Sequence, residues 1–218
     1  MGRKTNLVGS FVLTLFFLGT CALSFVFSWY TIIVTSKQST EEVTTQYFLT
    51  WTKIMQIGQH GSETDTTYDE LEASETQNIF QFTLSFLAIS TVLGMLTALF
   101  QMMATLKKSK RLKIMSGLTA LLTFIGVSIS VFSFFRITKA LEEDQVCLFY
   151  NSPSNPDQTS CTKFIGSQDN NYYSITYRPY VGFWVGISAV FLALLSAITN
   201  FYKWRYSKHE HYHLINYH

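Results

Sequence analysis

Cys147 and Cys161 stand on either side of a turn-forming stretch, residues 151–159, that contains Pro153 and Pro156. In an oxidising exterior such a pair is expected to form a disulfide, worth about 3 kcal/mol on the chain-entropy estimate for a hairpin of this length. Free thiols are one alternative. A metal site is the other, with ligands drawn from elsewhere, since no His lies near either Cys in the sequence. Cys21 stands alone in an apolar run and is expected to be a small packing residue. His209, His211 and His213 alternate, so an extended strand would bring all three to one side, where imidazoles bind transition metals. The overlapping Tyr212-x-x-Ile215 matches the tyrosine-based endocytic or lysosomal sorting pattern. The acids of residues 63–75 lack the alternating ligands and turn glycine of an EF-hand loop and are expected to form a solvated face. There is no phosphate-binding glycine loop and no Ser/His/Asp or Cys/His spacing to argue from. The expectation is therefore no enzyme, no cofactor, no metal and no identified small-molecule substrate.

Behind these residues lies an uneven distribution of charge. Only 14% of the 218 residues are charged, against about 25% in an ordinary soluble domain. Residues 5–36, 76–106, 114–135 and 179–202 carry no charge at all. A bilayer core needs about 20 apolar residues in helical form, and spans over 7–34, 79–106, 114–135 and 179–202 meet that length. One such run could be the core helix of a soluble protein, but four cannot all be interior in a 25.0 kDa chain. The first run follows Arg3 and Lys4 as a signal peptide would, yet its apolar length is well beyond a signal core of about 7–15 residues, so a retained anchor is expected. The spans contain no Asp, Glu, Lys, Arg or His, which argues against proton-coupled transport and intramembrane acid–base chemistry.

Orientation follows from the basic residues. The first residues, the connector 107–113 and the tail 203–218 hold ten Lys or Arg and one acid, net +9. The loops 35–78 and 136–178 hold six basic and thirteen acidic residues, net −7. Both termini and the connector are expected in the cytoplasm, with two acidic loops outside. The short connector makes spans two and three an antiparallel hairpin. The expected fold is an all-α membrane protein: a single four-transmembrane-helix bundle with a small extracellular β-sheet formed by the two outer loops. Small residues at four-residue spacing, Gly94 and Ala98, Gly126 and Ser130, Gly182 and Gly186, would let helices approach closely, within one bundle or between copies. Strand-like pieces fall at 31–35, 43–51, 145–150, 162–165 and 172–177, while 61–75 reads as a turn or a helical extension.

Trp29 stands at the outer end of the first span, and Trp51 follows in Phe48-Leu49-Thr50-Trp51. With four spans, both ends inside and a strand-rich first loop, this resembles the claudin and peripheral-myelin-protein superfamily of tetraspan proteins, whose first loop carries a Trp followed by a Gly-Leu-Trp motif. The family's next element, a Cys pair in the first loop, is absent here, and the outer Cys pair lies in the second loop. Tetraspanins fit less well, since no Cys-Cys-Gly occurs. The resemblance implies a non-enzymatic four-pass protein acting by lateral and adhesive contacts of its outer loops. Trp29 and Trp51 would anchor the sheet, and Tyr47, Phe48, Phe149, Tyr150, Tyr172 and Tyr173 would meet a partner or pack the sheet itself. The alternative is a pore-forming or auxiliary subunit of an oligomeric channel. Either way the partners are the lipid bilayer and other membrane proteins or further copies, not nucleic acid, and the location is the plasma or endolysosomal membrane.

Overall fold

A computed structural model of the chain describes residues 2–37, 43–58, 61–107, 109–144, 163–169 and 173–215. The elements in order are α1 (Gly2–Val26), β1 (Tyr30–Ser36), β2 (Val43–Leu49), β3 (Lys53–Ile57), β4 (Glu63–Thr67), α2 (Ser74–Lys107), α3 (Lys110–Ser133), α4 (Ile137–Glu143), β5 (Gly166–Asp169), β6 (Tyr173–Pro179) and α5 (Val181–Ile215). A single 3-10 turn, Phe134–Arg136, joins α3 to α4. Among the described residues, four helical stretches are long and apolar enough to cross a membrane: Val8–Val26, Ser74–Lys107, Lys110–Glu143 and Val181–Phe201. The chain divides into two compact units.

The first unit, Met1–Ala22, Phe86–Ile129 and Gly186–His218, has helices and no strand among its described residues. Its polarity is inverted relative to a water-soluble bundle. Phe16, Val92, Leu99, Leu118, Phe191 and Ile198 are exposed, whereas Ser10, Thr14, Thr97, Gln101, Ser116 and Ser196 are buried. Helix contacts here need small residues. A Cβ on Gly94 would come within 2.6 Å of Phe17 and 3.1 Å of Leu18, and one on Gly126 within 2.5 Å of the Ser90 hydroxyl. Ala98 and Gly186 are buried as well.

The second unit, Leu23–Ser85 and Ser130–Val185, holds an antiparallel six-stranded sheet in the order β4-β3-β2-β1-β6-β5. In β1 the β-branched run Thr31-Ile32-Ile33-Val34-Thr35 suits a pleated strand and resists helix. It pairs with β2 (Ile32 opposite Tyr47) and with β6 (Ile32 opposite Tyr177). One face, carrying Tyr30, Ile32, Val34, Leu49, Ile54 and Ile175, is buried and forms the core.

Four expectations change. The first apolar run, 7–34, is not one helix: α1 ends at Val26, and the remainder enters the sheet because strands on both sides supply its backbone hydrogen bonds. The stretch 61–75 contains β4, which pairs with β3 (Asp65 opposite Met55), instead of being only a turn or helical extension. The three tail histidines lie on helical backbone, since α5 runs to Ile215, so the extended alternation is lost and positions 209 and 213 fall about one turn apart. The strand-like piece at 162–165 is displaced to β5, beginning at Gly166, and the piece at 145–150 lies outside the described residues.

Candidate functional site

The sheet of the second unit is held to the helix ends of that same unit by two tryptophans. A helix leaves its last carbonyls without intrahelical partners. At the end of α1 the Leu23 carbonyl accepts from Phe27 N at 3.1 Å. The next two carbonyls are met by indoles. Trp29 Nε1 donates to the Ser24 oxygen at 2.8 Å, and Trp51 Nε1 donates to the Phe25 oxygen at 3.0 Å. The two residues singled out in the sequence therefore act together as side-chain caps on one helix, with ring centroids 4.7 Å apart.

Trp29 is 0% exposed. Its ring meets Phe134 at 5.0 Å and Phe183 at 6.0 Å. Phe80 packs against Trp51 at 5.8 Å and Phe134 at 5.4 Å. Phe164 closes the cluster against Phe135 at 4.6 Å and Phe183 at 5.2 Å. Tilted and edge-on rings at these spacings are the favoured arrangements of aromatic quadrupoles. Backbone bonds stitch the same place together: Trp29 N to Leu49 O at 3.2 Å, Tyr180 N to Trp29 O at 2.8 Å and Gly182 N to Ser28 O at 2.9 Å. The Ser24 hydroxyl donates to the Gly182 oxygen at 3.0 Å. Gly182 has no room for a side chain, because a Cβ would lie 2.5 Å from both the Phe27 oxygen and Trp29 Cδ1.

Two phenols complete the core. Tyr30 Oη donates to the Phe164 oxygen at 3.0 Å, and Tyr68 Oη to the Thr50 oxygen at 2.6 Å. Burial pushes both phenols well above their ordinary titration range, with Tyr177 adding to the effect at Tyr30. The start of α2 is capped from a distance: the Asp144 carboxylate accepts from Glu75 N at 3.0 Å and Thr76 N at 2.5 Å. Ahead of it, Glu72 takes a left-handed backbone with φ of 52° in a turn closed by Ala73 N to Tyr68 O at 2.9 Å.

The opposite face of the sheet is more open. By register, Asp65, Met55, Phe48, Thr31 and Arg178 form one row across β4-β3-β2-β1-β6. Thr31 is buried, Met55 and Phe48 are half-buried, and Asp65 and Arg178 are exposed. Phe48 packs on Tyr180 at 5.1 Å. Lys53 pairs with Asp65, and Lys37 with Asp169, both near the surface where such pairs contribute little. Among the described residues, no group of three His, Cys, Asp or Glu is placed to hold a metal ion.

Of the residues expected to matter, Trp29, Trp51 and Gly182 converge here. Gly94, Ala98, Gly126 and Gly186 lie in the first unit, and the Ser130 hydroxyl donates to the Thr83 oxygen at 2.8 Å. Tyr212 and Ile215 sit on the final turns of α5. Tyr47 and Tyr173 are half-buried in β2 and β6. Cys147 and Cys161 lie outside the described residues, as do Phe149, Tyr150 and Tyr172. Phe80, Phe134, Phe183 and Asp144 escaped the sequence reading. Phenylalanines are common throughout this chain, and nothing in the spacing distinguishes those beside an indole. Compared with protein-family models the chain matches none, and compared with curated proteins it likewise has no match.

Proposed function

We propose that this chain is a four-pass membrane protein, with both ends cytoplasmic, that works through lateral and adhesive protein contacts of its outer sheet and performs no covalent chemistry. The observation that carries the reading is the sheet clamped by Trp29 and Trp51, with one face consumed by the aromatic core and the other left partly open. A sheet fixed this firmly presents a preformed surface, which lowers the ordering cost of binding. Insertion in a bilayer is supported by the inverted polarity of the helical unit. Leu99, Phe191 and Ile198 face outwards where a water-soluble protein would place charge, while hydroxyls and amides point inwards. Orientation is supported by the charge balance of +9 in the basic segments against −7 in the acidic loops. The claudin-like reading rests on the tryptophan pair and the four-helix pattern.

The test is proximity cross-linking and cell–cell aggregation with the full chain at the cell surface. Gln46→Arg and Phe48→Ser alter the open face of β2, whereas Ile125→Leu on α3 is a control of equal expression. Loss of cross-linked partners or aggregation in the β2 variants alone supports the proposal. Unchanged contacts in both β2 variants, at normal surface levels, would overturn it. A single-channel current from purified wild-type protein in planar bilayers would instead favour the pore-forming alternative.

A further inference from the structure

The buried polar side chains of the first unit form a ring that joins the four helices in turn. Gln101 Nε2 on α2 donates to Ser10 Oγ on α1 at 2.9 Å. Thr14 Oγ1 on α1 and Ser196 Oγ on α5 are 2.9 Å apart, and Thr199 Oγ1 on α5 donates to Ser10 Oγ at 3.4 Å. Ser116 Oγ on α3 donates to Asn200 Oδ1 on α5 at 3.1 Å. Thr97 Oγ1 on α2 donates to Thr119 Oγ1 on α3 at 2.9 Å, which closes the ring. Ser, Thr, Asn and Gln joining helices in this manner are the usual polar ties of an apolar solvent.

One atom breaks the pattern. Gln101 is 1% exposed, and its Oε1 has no hydrogen-bond partner. In this orientation the oxygen end of the amide needs a donor that the neighbouring helices do not supply. A metal cation is a poor answer, because residues 5–36, 76–106, 114–135 and 179–202 contain no carboxylate to balance it. The occupant must be small, neutral and able to donate a hydrogen bond to Oε1.

We propose that Gln101 holds an internal water molecule between α1, α2 and α5, shared with the hydroxyl of Ser10. The ligand is water because it can donate to the free amide oxygen and bond the nearby Ser10 hydroxyl, as buried waters do for otherwise unpaired polar groups. It makes Gln101 a bridging residue of the ring instead of a strained one.

The test uses the full-length chain in detergent or nanodiscs. An experimental density map fine enough to show ordered solvent is expected to contain a water within hydrogen-bond distance of one Gln101 amide atom. The Gln101→Met variant, of similar length but without the amide, is expected to melt several degrees lower, since it discards a fully bonded group. A map in which both amide atoms are bonded to protein, or in which one stands bare, overturns the proposal. So does a Gln101→Met protein that melts at or above wild type, because removing an unpartnered oxygen relieves a penalty. If that variant does not fold, the wild-type map decides by itself.

Discussion

Replacing Trp29 by Phe and, separately, Trp51 by Phe isolates the capping role of the two indoles. Both substitutions keep an aromatic ring and delete an N–H. In Trp29→Phe the Ser24 carbonyl loses a 2.8 Å hydrogen bond inside a site that water does not reach, since Trp29 is 0% exposed. An unpartnered buried carbonyl costs about 1–3 kcal/mol. The smaller ring also opens a void beside Phe134 and Phe183, at about 1–2 kcal/mol by scaling from full truncation of a buried aromatic. The total is about 3 kcal/mol, which in a chain of this size lowers Tm by roughly 6–12 °C. Trp51 is only partly buried, so water can replace its bond to the Phe25 carbonyl. Trp51→Phe should cost about 1 kcal/mol, or roughly 2–4 °C. Thermal unfolding of the purified protein in detergent, followed by far-UV circular dichroism, reads both. Equal shifts, or a larger one for Trp51→Phe, would refute the idea that the buried indole caps α1 in a dry site.

Three further outcomes follow from the same unit. Asp144→Ala deletes the carboxylate that caps α2 through Glu75 N and Thr76 N, and should cost about 1–2 kcal/mol in the same melts; a neutral result would mean that water caps this helix equally well. Glu72→Gly should raise stability by about 1 kcal/mol, because glycine occupies a φ of 52° without the steric penalty of a Cβ; a loss would show that the Glu72 side chain contributes something the backbone does not reveal. Tyr30 and Tyr68 hold their protons more tightly folded than unfolded, so their contribution is complete below the ordinary tyrosine range near pH ~10 and falls as pH rises through it. Melting temperature should therefore drop between mildly and strongly alkaline pH, and the drop should be shallower in a Tyr30→Phe, Tyr68→Phe double variant; an identical slope would assign the alkaline loss elsewhere.

How much of this was open to a reader of the sequence differs from element to element. The helical stretches beginning at Ser74, Lys110 and Val181 were legible because length, apolarity and freedom from charge are properties of a continuous segment. Strands β2 and β6 were legible from their β-branched and aromatic residues, whereas β4 was not, since Glu-Thr-Asp-Thr-Thr carries no apolar alternation and is a strand only because β3 lies beside it. The Trp29 and Trp51 pair drew attention as anchors of the outer sheet, yet their N–H targets, two successive carbonyls of α1, could not be guessed from spacing.

The sequence by itself determined that four long apolar helices exist and that charge is divided between basic and acidic segments. Both are sums over local composition and need no knowledge of neighbours. Tertiary structure decided where the first apolar run stops being a helix, because Thr31–Thr35 satisfies its backbone only by pairing with strands from residues 43–49 and 173–179. It also decided that Gln101, Ser10 and Ser196 face inwards as a ring, a matter of which helix stands beside which. Hydrogen bonds and ring contacts between residues far apart in the chain are pairwise quantities, and a pair acquires its energy only once the fold has brought its members together.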